Sequence, residues 1–308
     1  MRRSTSGLGH GCRLVQRLAA GLGVAATLAG CSGVALLNAV QPRTAVRVVH
    51  DVRFQTGARG TLDIYRPRHA RGQAPVVVFI YGGSWDGGRK SKYAFVGDAL
   101  ASQGLVTLIP DYRVYPQVRW PSFLQDNARA VRWARDHAAD YGGDPNQLFL
   151  MGHSAGAYNV VMLALDPRWL STVGINSQSL CGVVALAGPY DFLPLRTREL
   201  KSIFGPAAQR AATQPINYVT GHNAPLFLAT DTADKFVEPG NTTRLAARIR
   251  AAGGPVEVRY YRGLSHGLLL GTLAAPLRFL APVLHDVLGF IRAHAAERAV
   301  APPAESPS

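Results

Sequence analysis

Leu148-Phe149-Leu150-Met151-Gly152-His153-Ser154-Ala155-Gly156-Ala157 decides how this chain folds. Four apolar residues run into Gly152, as a buried strand does. A serine follows among small residues, and a helix-forming run then extends from Ala155 to Leu165. Gly152-His153-Ser154-Ala155-Gly156 fits G-x-S-x-G, a sharp strand-to-helix turn with the serine at its apex. Glycine at both ends has a steric reason. The turn is strained, and a side chain at 152 or 156 would strike the neighbouring strand or helix. Such a turn exposes the serine hydroxyl and aims the next residue's N–H at the same spot.

Outward from this turn, apolar strands alternate with helices. Pro75-Val76-Val77-Val78-Phe79-Ile80 is apolar and largely β-branched, the mark of a strand covered on both faces. Further strands are expected over 105–109, 180–187, 225–230 and 256–261. Helices are expected over 93–103, 123–141, 241–252 and 277–295. An antiparallel hairpin over 46–54 and 61–65 opens the domain. This rhythm predicts an α/β fold, with a mostly parallel twisted sheet and helices on both faces. Residues 192–222 lack a clear period and are expected to form a small lid inserted over the site. In such sheets the chemistry gathers at the carboxyl ends of the strands. Gly83, Ser154, Asp234 and His266 all fall there.

The chain has 308 residues, 47% of them hydrophobic and 17% charged, so a packed core is expected. Its first thirty residues read as export machinery. Arg2, Arg3, Arg13 and Arg17 make a basic leader without acids, and an apolar run too short to span a bilayer follows over 18–28. Leu28-Ala29-Gly30-Cys31 resembles the lipobox of bacterial lipoproteins. That resemblance implies cleavage before Cys31 and a lipid on its thiol. It places the protein on the cell envelope, held to the membrane by that anchor. The expected organisation is a signal over 1–30, a tether over 31–44, a hydrolase domain over 45–298 and a Pro- and Ser-rich disordered tail over 299–308. Of the three cysteines, Cys12 leaves with the signal and Cys181 sits alone in an apolar run, so a core thiol is expected rather than a disulfide. No cysteine spacing suits zinc, and no metal or cofactor is implied. The net charge of +14 comes from scattered arginines without a basic cluster. It points to anionic envelope surfaces rather than to nucleic acid.

A serine hydroxyl is a weak nucleophile until a base takes its proton, and a third group must hold that base. The α/β-hydrolase arrangement supplies them in the order serine, acid, histidine. Downstream of Ser154 the histidines are 222, 266, 285 and 294. His285 and His294 fall on the closing helix, and His222 precedes a strand at the wrong edge of the sheet. His266 follows the last strand in a glycine-flanked loop and is the expected base. Among the carboxylates, Asp191, Asp231, Asp234 and Glu238 follow strands. Asp234 is best placed to reach the base, with Asp231 and Asp191 as alternatives. Asp166 lies at the far end of the serine helix. Donors for the developing oxyanion are expected from the Ala155 N–H and from Gly82, Gly83 and Ser84 in Tyr81-Gly82-Gly83-Ser84-Trp85.

With these pieces together, the chain resembles carboxylesterases of the α/β-hydrolase superfamily. It is near the hormone-sensitive-lipase-like, feruloyl-esterase-like and prenylcysteine-methylesterase-like groups. The resemblance is carried by Tyr81-Gly82-Gly83-Ser84-Trp85, Asp111-Tyr112-Arg113-Val114-Tyr115-Pro116, Gly143-Asp144-Pro145, the Ser154 pentapeptide, Asp231-Thr232-Ala233-Asp234 and Ser265-His266-Gly267. It implies ester hydrolysis through an acyl-enzyme on small to medium acyl esters. In those relatives a histidine that stabilises the loop stands where this chain has Tyr81. The Asp-Tyr-Arg stretch is a brace, and the acid loop usually reads Gly-x-x-Asp. Asp231 takes the glycine position and Asp234 matches the acid. The same triad could also serve a lipase, thioesterase or peptidase, and the fold could persist as a non-catalytic envelope binding lipoprotein.

Overall fold

The computed structural model describes residues 31–42, 44–69 and 72–300. The expected signal over 1–30 and residues 301–308 of the tail lie outside the described residues. Among those described, one sheet contains β1 (Val46–Arg53), β2 (Thr61–Pro67), β3 (Ala74–Ile80), β4 (Val106–Pro110), β5 (Gly143–His153), β6 (Gly182–Leu186), β7 (Leu226–Asp231) and β8 (Val256–Tyr261). Their spatial order is β1-β2-β4-β3-β5-β6-β7-β8. β2 pairs antiparallel with both β1 and β4, and every later pairing is parallel. β4, β6 and β7 are buried at every residue. This explains why they read as continuous apolar runs rather than alternating ones.

The helices are α1 (Cys31–Ala39), α2 (Ala94–Ala101), α3 (Ser122–His137), α4 (Ala155–Leu165), α5 (Arg168–Ser171), α6 (Arg198–Phe204), α7 (Gly240–Ala251), α8 (His266–Gly271) and α9 (Val283–Val300). α4 is buried along its whole length and packs on β3, β5 and β6, while α9 packs on β5 and β6. The nucleophile strand is thus flanked by β3 and β6 and overlaid by the serine helix, so its end is rigidly placed.

Three local expectations change. The segment read as a tether is helical from Cys31 to Ala39 and docks on the domain. Leu37 is buried, Asn38 Oδ1 accepts the Phe95 N–H at 2.9 Å, and Gln41 bridges the Phe95 carbonyl (3.1 Å) and the Ala275 N–H (3.1 Å). No glycine or proline interrupts residues 34–41, so nothing in that run opposes a helix. The closing helix expected from 277 begins at Val283. Residues Ala275–Leu280 form a 3₁₀ turn instead, because Pro282 lacks an N–H and its ring clashes with a preceding helical turn. That helix then continues to Val300, into what was expected to be tail. Lastly, His266 is not in an open loop. It is the first residue of α8, whose start is capped by Ser265 Oγ accepting the Leu268 N–H at 3.3 Å.

Candidate active site

The turn at Ser154 is as tight as its glycines require. Ser154 has φ 57° and ψ −124°, a backbone conformation few L-residues adopt. A Cβ on Gly156 would stand 1.9 Å from the Ile80 carbonyl oxygen, and one on Gly152 would stand 2.3 Å from the Gly156 oxygen. The serine is locked from both sides. Its N–H donates to the Leu186 carbonyl of the adjacent β6 at 2.9 Å, and its carbonyl accepts the Tyr158 N–H at 3.1 Å. Ala155 opens α4, so its N–H has no helical acceptor.

β7 and β8 bring the acid and the base together. His266 Nδ1 donates to Asp234 Oδ2 at 2.7 Å, and the second oxygen of Asp234 accepts the N–H groups of Phe236 (2.8 Å) and Val237 (3.1 Å). Burial pushes the Asp234 carboxyl up, but its bond to His266, the attraction of that ring and the two N–H donors outweigh burial and hold it below the usual value. His266 Nε2 is buried and has no hydrogen-bond partner among the described residues.

The other carboxylates have different work. Asp231 accepts the Ala233 N–H at 2.8 Å through Oδ1 and the Leu264 N–H at 2.8 Å through Oδ2. It therefore clamps the loop after β7 to the loop carrying His266, without touching the imidazole. Asp191 pairs with Arg244 at 2.6 Å, and Asp166 with Arg168 at 2.7 Å. Glu238 sits on the other side of Arg244 at 3.3 Å.

The glycine loop after β3 closes over the serine. A Cβ on Gly82 would lie 2.8 Å from the Ser154 Cβ, so only glycine admits this approach. Gly83 has φ 127°, and the next two residues, Ser84 (φ 51°) and Trp85 (φ 61°), are both left-handed. Among the described residues, the N–H groups of Gly83 and Ser84 donate to no backbone carbonyl. Tyr81, in the place of the relatives' histidine, is the middle ring of a stack. Its centroid is 5.2 Å from Tyr93 and 4.8 Å from Tyr112. The Tyr81 hydroxyl donates to Asp111 Oδ1 at 2.6 Å, and the Tyr112 hydroxyl donates to the Tyr81 carbonyl at 2.8 Å. Asp111 also accepts the Lys90 N–H at 2.7 Å. The Asp111-Tyr112 pair thus braces both ends of the loop. A larger, stacked residue replaces the histidine without loosening it.

Ser84, Trp85, Ser154, Ala155 and Asp234 line one cavity of about 800 Å³. Residues between 189 and 203, among them Phe192, Leu200 and Ile203, supply another wall. Trp85 anchors this wall. Its indole N–H donates to Asn159 at 3.0 Å, and its rings meet Tyr158, Phe192 and Phe204 at 4.8–6.1 Å.

One histidine escaped the sequence reasoning, which searched only downstream of the serine. His153 Nε2 donates to the His266 backbone carbonyl at 2.9 Å, and the two rings lie 4.7 Å apart. Burial, assisted by the neighbouring His266, pushes its pKa down to about 3, so this ring is neutral and props the base from behind. Its place inside the serine motif was the available signal. The unfolded chain takes up a proton near pH 6.5 that the native chain refuses until about 3, so stability is lost as pH falls through that interval. Asp234 adds its own loss only below its unbonded value of 3.8. Between pH 6.5 and 4, urea unfolding should show a His153-dependent slope of at most about 1.4 kcal/mol per pH unit. A His153→Asn variant should lack that slope. Equal slopes in both proteins would show that His153 is not the group responsible.

Comparisons with known proteins agree with this architecture. Residues 62–249 match the model of the BD-FAE family. Esterase LipQ of Mycobacterium tuberculosis is 29% identical over 264 residues, 78% of this chain and 62% of LipQ. Esterase LipC of the same organism is 33% identical over 239 residues, 70% of this chain and 59% of LipC. The probable isoprenylcysteine alpha-carbonyl methylesterase ICMEL1 of Arabidopsis thaliana is 27% identical over 68% of this chain and 48% of its own length. The chain therefore spans about half to three-fifths of these relatives. Among solved structures, esterase B from Lactobacillus rhamnosis superposes with a TM-score of 0.75 at 20% identity, covering 91% of this chain and 97% of that one. With nearly all of β2 through α7 inside the matched stretch, and the serine turn and Asp234 among them, the chain belongs to the BD-FAE family and carries an α/β-hydrolase fold.

Proposed function

We propose that the protein is a serine carboxylic-ester hydrolase in which Ser154, His266 and Asp234 act as a triad. One observation carries the reading. The imidazole is held at Nδ1 by Asp234 at 2.7 Å while its buried Nε2 is left without a partner, beside a cavity that contains Ser154. A ring so held has one nitrogen free to take a proton, and apo sites often tighten the serine–histidine contact only when substrate binds. Ser154 Oγ attacks the ester carbonyl carbon as His266 Nε2 takes its proton. The oxyanion is received by N–H groups of Gly83, Ser84 and Ala155, with Gly82 admitting the close approach. Collapse breaks the bond to the alcohol oxygen, which leaves with the proton from His266. Water then attacks the acyl-serine with His266 as base, the acid departs, and Ser154 regains its hydrogen. The relatives named as esterases and methylesterases support this reaction class. The acyl group, pointing away from His266, faces Trp85, Phe192, Leu200 and Ile203, a wall sized for small to medium acyl chains. A fluorophosphonate probe should label the protein at Ser154 and nowhere else. An unlabelled native protein would sink the reading in favour of a binding lipoprotein.

The same proposal includes location. Leu28-Ala29-Gly30-Cys31 after a basic, apolar leader supports a lipid on Cys31 and residence on the envelope. In cells fed labelled palmitate, the protein should take up label and sediment with membranes, and a Cys31→Ser variant should do neither. Labelling of the variant would refute the anchor.

A further inference from the structure

Phe236 stands two residues after the acid, with its N–H bonded to Asp234, and its ring is 68% exposed. It is not an isolated surface aromatic. With Leu193, 39% exposed, it lines the same cavity as Ser154 and Asp234, and its centroid lies 4.8 Å from that of His266. Standing in the wall of a cavity beside the serine, this exposed ring offers an apolar face that a bound group could cover. The proton inventory of the proposed reaction says which group. When the tetrahedral intermediate collapses, the alcohol oxygen takes its proton from His266 Nε2, so that oxygen lies within hydrogen-bond reach of the imidazole. The carbon skeleton attached to it must leave on the His266 side of the cavity. In the same proposed reaction the oxyanion faces the Ser84 and Ala155 N–H groups, which turns the acyl group the other way, toward the part of the wall with Trp85.

Resting on the serine mechanism above, we infer that Phe236 forms an alcohol subsite and that the enzyme selects esters whose alcohol carries an apolar ring, stacked on Phe236 during acyl transfer. The carboxylate that orients His266 also fixes the backbone of Phe236, so base and subsite keep a constant spacing.

Benzyl acetate and methyl acetate test this. They share an acyl group and have alcohols of similar acidity, so the ratio of their kcat/KM values reports the subsite rather than intrinsic reactivity. Phe236→Ala should lower kcat/KM for benzyl acetate about tenfold, the size of one aromatic contact, and leave methyl acetate within about twofold. Phe236→Tyr, which keeps the ring, should restore the benzyl preference. An equal fall on both esters would show that the ring only steadies His266 and would overturn the subsite. So would an unchanged ratio in a fully active Phe236→Ala protein. Failure of the native protein to cleave either ester, together with no fluorophosphonate labelling, would instead remove the serine mechanism and this inference with it.

Discussion

Replacing Ser154 with alanine is expected to lower kcat for p-nitrophenyl acetate by about 10⁴-fold or more, with the fold intact. Alanine keeps the backbone, the 2.9 Å bond to Leu186 and the start of α4. It removes only the oxygen that the proposed mechanism uses to form the acyl-enzyme. The loss is large because members of a triad act as a unit, leaving only binding and oxyanion stabilisation when one is gone. Thermal unfolding of the variant should match the parent. A variant that turned over at the parental rate would place the chemistry elsewhere.

The second large effect separates two aspartates three residues apart. Asp234→Asn is expected to cost about 10⁴-fold in kcat, because an amide facing Nδ1 favours the wrong tautomer and cannot stabilise the imidazolium. Asp231→Asn should act differently. Its carboxylate holds two backbone N–H groups, Ala233 and Leu264, and an amide can accept from only one side. The loss should appear as about 1–3 kcal/mol of stability, with kcat for the folded variant within about tenfold of the parent. Urea unfolding and steady-state kinetics on both variants check this together. The opposite pattern, a dead Asp231→Asn beside an active Asp234→Asn, would reverse the assignment.

Much of this site was legible because its causes are local. The serine turn follows from glycine sterics at 152 and 156. The strands β3 to β7 follow from runs that are apolar on both faces, which only a covered parallel sheet accepts. What was not legible depends on contacts distant in sequence. The position of Asp234 in its loop pointed to His266, but no local feature tells that Asp231, three residues earlier at the end of β7, reaches Leu264. Nor does any local feature reveal that Tyr81 substitutes for a histidine by stacking between Tyr93 and Tyr112. Nothing in the motif around His153 points to His266, 113 residues on, and only the fold lays the two rings together. The helix at Cys31–Ala39 was read as a tether because its short apolar run gains its reason to be ordered from Phe95 and Ala275, far along the chain.

The clamp made by Asp231 sets a timetable. Its bond to Leu264 joins the end of β7 to the loop after β8, and β8 finds its place only by adding to the edge that β7 offers. A chain emerging from its N-terminus can therefore build the serine turn, the glycine loop and most of the sheet before His266 has Asp234 to bond. His266, carried just past the strand Val256–Tyr261, can meet Asp234 only once that strand is docked. Under the proposed mechanism, an unfinished molecule would hold a serine without its base, and the last strand would act as the safety catch.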